Sequence, residues 1–154
     1  MELTSLNGAA LAVPDMMLEK VQTLQTELSK MPQYEPETKH TFHAGMYCRE
    51  VFRHAGVFVV GKVHKKEHFY YIVSGTVAIT TDEGVQSVTG PHLLCCKPGT
   101  KRAVYAVTDA LCMTFHVSNA KTVEEAELEL VEEDPDSMYS VGNIVKDKLI
   151  EVQP

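Results

Sequence analysis

The sequence has no tryptophan, only four cysteines, no long apolar run and a shortage of basic residues. Each shortage excludes something. Lys and Arg number 14 against 21 Asp and Glu, a formal net charge of -7. Phosphate backbones are bound chiefly through Lys and Arg, so general affinity for nucleic acid or an anionic membrane is not expected. No stretch approaches the roughly eighteen apolar residues of a membrane span. Glu2 stands where a signal peptide carries positive charge, and a cytoplasmic protein is expected. Cys48, Cys95, Cys96 and Cys112 show no C-x-x-C spacing, which points to reduced thiols rather than a structural zinc site. No glycine-rich phosphate loop leads into a helix, and Ser74 and Ser87 lack a nucleophile-elbow context.

What is present suits one globular domain with a real core: 154 residues, 44% of them hydrophobic. The acidic excess is local. Residues 1–120 carry 11 basic and 11 acidic side chains, whereas 121–154 carry 3 and 10. Near the start, Met17, Val21, Leu24, Leu28 and Met31 recur at spacings of four and three. This predicts an amphipathic helix of about 17 residues between Pro14 and Pro32, docked on the protein's own sheet or, less simply, forming a coiled coil. From Thr41 to Val117 the texture changes to short runs rich in β-branched and aromatic residues, such as FYYIVSG, TVAITT and ALCMTFHV. Turn signals such as Asp82-Glu83-Gly84 and Pro98-Gly99 punctuate them, the pattern of a sandwich or barrel. Thr122 and Glu125 then form a capping box opening a short helix whose acids are expected to face solvent.

One segment, HKKEH at 64–68, fits two chemistries. As H-x-x-E-H it would be an inverted zinc-protease signature, which requires a helix to bring both histidines and the glutamate together. Its flanks, VFVVGKV and FYYIVSG, are β-prone, so a strand is expected. On a strand the period of two also puts His64 and His68 on one face, with Lys62 and Tyr70.

At this point the sequence resembles the cupin superfamily. The first motif of that family is G-x5-H-x-H-x3-4-E-x6-G. Anchoring its last glycine on Gly75 sets His68 at the glutamate position, His64 at the second histidine and Lys62 at the first. The second motif's histidine, three residues after Pro98-Gly99, falls on Arg102. The likeness spans about residues 41–117 and extends to small single-domain cupin-like proteins encoded by phages and prophages. It implies a mainly β fold, a cupin-type double-stranded β-helix or jelly-roll barrel. The expected divisions are an N-terminal helical extension over 1–40, the barrel over 41–118, and an acidic C-terminal helix and tail over 119–154.

The departures from the motif shape the functional expectation. Lys62 and Arg102 replace two metal-binding histidines, and cations repel a divalent metal. What they suit is an anion. Arg49, Lys62, Lys101 and Arg102, with Arg53 as a further candidate, offer charge-assisted donors, while His64, His68, Tyr70, Tyr105 and His116 add hydrogen bonds and a stacking wall. The expectation is a small-ligand-binding protein that senses or sequesters an anionic metabolite or nucleotide. The alternative is a metal-dependent oxygenase, isomerase or lyase whose His64, His68 and His116 hold Mn, Fe, Ni or Zn. A third possibility is a scaffold in which Arg49 and Arg53 face solvent and the flanks bind a partner. A homodimer is the expected assembly.

Overall fold

The computed structural model describes residues 9–146. Two antiparallel sheets face each other. The larger has the order β1-β2-β9-β4-β7, from β1 (Glu37–His43), β2 (Met46–Arg53), β9 (Ala110–Val117), β4 (His68–Ser74) and β7 (His92–Cys96). The smaller has the order β3-β8-β5-β6, from β3 (Phe58–Val60), β8 (Ala103–Ala106), β5 (Thr76–Thr81) and β6 (Gly84–Thr89). β1 starts at Glu37, four residues before the expected edge of the barrel at 41.

Side-chain alternation follows the pleat. Along β4, His68, Tyr70 and Ile72 are buried, and between them Phe69 is exposed and Tyr71 half-buried. The inward residues of both sheets make the main core, in which Ile72, Val77 and Ile79 are wholly buried. Each such side chain contributes about 1.5–3 kcal/mol. Gly75 allows the tight step from β4 to β5. Its φ is +84°, and a Cβ there would lie 2.1 Å from the Asp109 carbonyl oxygen, so no other residue fits.

The helix α1 (Ala9–Leu28) begins before the expected start at Pro14 and ends at Leu28, where the Gln33 side chain donates to the Leu28 carbonyl at 2.9 Å. Met31, expected on the apolar stripe, is therefore exposed beyond the helix. The rest of the stripe docks on the protein itself. Met17, Val21, Leu24 and Leu28 pack with Val59, Val60 and Ala103 of the smaller sheet and with Met138, Tyr139 and Val145. No described helix is long and apolar enough to cross a membrane.

The helix α2 (Val123–Leu130) starts as the capping box requires, with the Thr122 hydroxyl accepting from Glu125 N–H. Ala126 and Leu130, four apart, pack against Tyr47 of β2. After a turn at 134–137 the chain packs Met138, Tyr139 and Val145 under α1. Residues 147–154 of the expected tail lie outside the described residues.

The HKKEH segment corrects the strand expectation. Residues 61–67 form no ladder, and His64 makes only an isolated bridge with Val131. Their backbone bonds go elsewhere. His64 N–H donates to Thr100 and Lys65 N–H to Leu130, while the Val63 carbonyl accepts from Glu132. The segment is a loop tied between the turn before β8 and the end of α2.

Candidate functional site

One cavity of about 100 Å³ runs inside the barrel. β2 contributes Tyr47, Arg49, Val51 and Arg53, four successive inward positions. β9 contributes Cys112, Thr114 and His116 by the same alternation, and β4 contributes His68 and Tyr70. His64 enters from the loop, Arg102 and Val104 from the approach to β8 and from β8 itself, and Ala126, Glu127 and Leu130 from α2.

Three imidazoles form one end of this cavity. His64 and His68 stack with ring centroids 4.2 Å apart, His68 and His116 at 4.8 Å, and His64 and His116 at 5.6 Å. Their planes lie within 5–29° of parallel, and Tyr47 continues the stack from His116. His68 Nδ1 lies 3.3 Å from the Lys66 carbonyl, which can only accept, so that nitrogen carries the proton. Burial, and then the neighbouring imidazoles, push His64 and His116 down to about 3. Burial lowers His68 as well. All three rings are neutral near pH 7.

Neutral imidazoles are the right chemistry for a metal, but this arrangement does not fit one. The lone pair of an imidazole nitrogen lies in the ring plane, so rings stacked face to face direct their lone pairs along separate planes instead of onto one ion at about 2 Å. Among the described residues no group of three or more His, Cys, Asp or Glu is disposed to hold a metal ion.

The charged groups divide in two. Glu127 of α2 accepts from Arg49 Nη2 at 2.7 Å, from Gly142 N–H at 2.7 Å and from Lys62 Nζ at 3.5 Å. Burial works against its charge, but those three donors outweigh it and hold the carboxyl below its usual range. Arg49 Nε also donates to the Tyr47 hydroxyl at 2.8 Å, leaving that hydroxyl free to donate to His40 Nδ1 at 2.6 Å. Arg49 thus has a carboxylate partner and spends its Nε and Nη2 inside the protein.

Arg53 and Arg102 have no such partner among the described residues. Arg53 is 6% exposed and meets no carboxylate among the described residues, and its Nε and Nη1 lack hydrogen-bond partners. Arg102 donates to the Thr80 carbonyl through Nη1 and to Cys96 Sγ at 3.2 Å through Nη2, while its Nε is unpartnered. Between them the Tyr70 hydroxyl, whose pKa is raised by burial, sits among Arg53, Cys112 and Arg102 without completing a hydrogen bond.

Six of the nine expected site residues therefore line one cavity: Arg49, His64, His68, Tyr70, Arg102 and His116. Three do not, and alternation accounts for two of these. Because Val104 points inward, Tyr105 points outward, where it is 37% exposed and packs beside Phe58. Lys101, one residue before Arg102, is buried on the opposite side with Nζ 2.7 Å from Asp134. Lys62 reaches the cavity only through its contact with Glu127. Glu127 itself escaped the sequence reading, which placed the acids of α2 in solvent. Its position beside Ala126, on the buried face, was the available signal. Arg53, only a further candidate in the sequence, shares its face with Tyr47 and Arg49 and was legible from alternation alone.

Neither a protein-family model nor a curated protein sequence matches the chain. Solved structures do match. A cupin described as RmlC-like from Shewanella frigidimarina aligns over 59% of this chain and 82% of its own, at 13% identity and a TM-score of 0.50. A salicylate 1,2-dioxygenase from Pseudaminobacter salicylatoxidans aligns over 73% of this chain but only 35% of its own, at 11% identity and a TM-score of 0.52. At such identities the likeness speaks for fold alone: the chain has the cupin-type double-stranded β-helix, with an added helix on either side of the barrel in sequence.

Proposed function

We propose that the protein binds a small anionic metabolite inside its barrel, to sense or sequester it. The observation that carries this reading is the pair Arg53 and Arg102, which line the cavity and meet no carboxylate among the described residues. A guanidinium does not shed its proton near neutral pH, and a buried unpaired charge costs several kcal/mol. An anionic ligand supplies the missing partner, with the Tyr70 hydroxyl as a further donor. Size restricts the choice. Sites for drug-sized ligands run to roughly 300–1,000 Å³, so about 100 Å³ favours a short organic acid over a nucleotide. The stacked imidazoles give no support to the metal-dependent alternative.

Isothermal titration of the full chain with short carboxylates, wild type beside Arg53→Met, tests the reading. Saturable binding lost in the variant supports it. Equal heats in both proteins, or none in either, count against it.

The reading includes a homodimer. The outer face of the larger sheet supports this, since Phe69 and Leu93 are about half exposed there. Phe69 stands opposite Phe115 in the register, and Tyr71 opposite Met113 and Leu93. The two helices pack elsewhere.

A further inference from the structure

We infer that Cys112 is a nucleophile built into the cavity, where its thiol adds reversibly to the carbonyl carbon of a short 2-oxo acid. The inference rests on the anion-binding reading above and names the ligand class.

Register places the thiol. Cys112 of β9 stands between Val51 of β2 and Ile72 of β4 across the larger sheet, so all three point into the barrel. Arg53 is the next inward position along β2, at the level of Ala110, and Tyr70 is the inward position before Ile72, at the level of Thr114. Each is therefore a diagonal neighbour of Cys112, close enough for a long side chain to reach across to it. All three side chains line the one cavity.

A buried thiol by itself marks no site, and what points to a ligand is the pair on either side of it. Arg53 and Tyr70 are 6% and 7% exposed, and Arg53 Nε, Arg53 Nη1 and the Tyr70 hydroxyl have no hydrogen-bond partner among the described residues. The Tyr70 hydroxyl has its pKa raised first by burial, and the groups that act on it next are Arg53, Cys112 and Arg102. A carboxylate on Arg53 satisfies the guanidinium. In a 2-oxo acid the electrophilic carbon is bonded directly to that carboxylate, so anchored group and reacting atom are one bond apart, as the adjacent placing of Arg53 and Cys112 requires. A three-carbon acid also suits a space of about 100 Å³. Cys96 is the other buried thiol near a guanidinium, but its sulfur already accepts from Arg102 Nη2 at 3.2 Å and it is not among the residues that line the cavity.

The addition balances without a co-reactant. Sulfur forms a bond to the ketone carbon, the C=O π pair moves onto oxygen, and the thiol proton ends on that oxygen. The Tyr70 hydroxyl relays it, giving its own proton to the oxygen and taking the one from sulfur. Reversal returns the acid unchanged, which suits sensing or sequestering.

Carbon-13 NMR of wild-type protein with pyruvate labelled at its ketone, beside Cys112→Ser, tests this. The bound ketone resonance is expected to move to a tetrahedral position distinct from that of the hydrate. Pyruvate is expected to bind at least about tenfold more tightly than lactate, which carries the same carboxylate and no electrophilic carbon. Cys112→Ser should lose the signal and with it the advantage of pyruvate over lactate. A resonance that stays at the ketone position, or equal affinity for the two acids in wild type, overturns the inference and leaves anion binding intact. A signal kept in Cys112→Ser overturns it too. Absence of binding by both acids overturns the anion reading and the inference together. Alkylation of wild type decides the matter even if the variant fails to fold. Peptide mapping should find Cys112 modified at least about tenfold faster by iodoacetate than by neutral iodoacetamide, with no such preference at the exposed Cys95. Equal rates at Cys112, or faster reaction with iodoacetamide, overturn the inference.

Discussion

Glu127 Oε2 lies 2.7 Å from Arg49 Nη2, joining α2 to the inner strand β2 across the cavity wall. Both side chains are mostly buried, at 19% and 11% exposure, so neither can be removed without leaving a charge in poor solvent. We expect Arg49→Met to destabilise the protein by about 2 kcal/mol, at the low end for a broken buried pair because some exposure remains. Arg49→Met combined with Glu127→Gln should cost less than the sum of the two changes. Urea unfolding of the four proteins measures the coupling, and strict additivity would mean the pair contributes nothing specific.

Acid should weaken the fold earlier than carboxylate protonation alone. In the folded chain His64 and His116 stay neutral down to about 3, and His68 is shifted the same way, whereas an unfolded histidine titrates near 6.5. Below 6.5 the unfolded chain therefore binds more protons, and stability falls as the pH falls through the window from 6.5 towards 3. Above 6.5 this contribution is present in full. Glu127 and Asp134 have lowered pKa values and add their losses only below the ordinary carboxylate range. Melting temperature against pH should begin to drop just below 6.5, and His116→Gln should flatten the drop. A curve level down to the carboxylate range would contradict the buried, neutral stack.

Sedimentation velocity tests the outer sheet. If Phe69 and Leu93 sit in a two-fold contact, Phe69→Lys with Leu93→Lys should convert a dimer to a monomer whose circular dichroism is unchanged. A monomeric wild type, or a dimer indifferent to both lysines, would assign that face no role in self-association.

A histidine metal centre should be lost with its ligands. The stacked geometry predicts that protein incubated with Fe, Mn, Ni and Zn and then desalted carries no stoichiometric metal whose retention depends on His64. Mass spectrometry of the metal content, wild type beside His64→Ala, measures it. One equivalent lost in the variant would mean the rings turn to converge on an ion.

Periodicity carried much of the fold and part of the site. The period-two runs placed Cys112, Thr114 and His116 on one face and separated Cys95 from Cys96, and the capping box marked the start of α2. Where chain direction is set by long-range contacts, periodicity had nothing to report. The HKKEH loop owes its path to backbone bonds with residues 100, 130 and 132, far away in sequence, so its β-prone flanks misled. Motif matching placed Lys62 inward for the same reason, although no strand runs there to orient it. The acids of α2 looked alike in sequence. Only the docking of Ala126 and Leu130 on Tyr47 singles out Glu127, and that contact joins residues about eighty positions apart.

The most direct test of the central claim is the thermal response of wild type and Arg53→Met to butyrate. Without ligand, Arg53→Met should melt at the same temperature or slightly higher, since removing an uncompensated buried charge is neutral or stabilising by about 1 kcal/mol. At 100-fold excess over Kd, butyrate should stabilise wild type by about 2.7 kcal/mol, a rise of roughly 5–10 °C, and should leave Arg53→Met where it was. An Arg53→Met protein that melts well below wild type without ligand and still gains the full shift with butyrate would contradict the account.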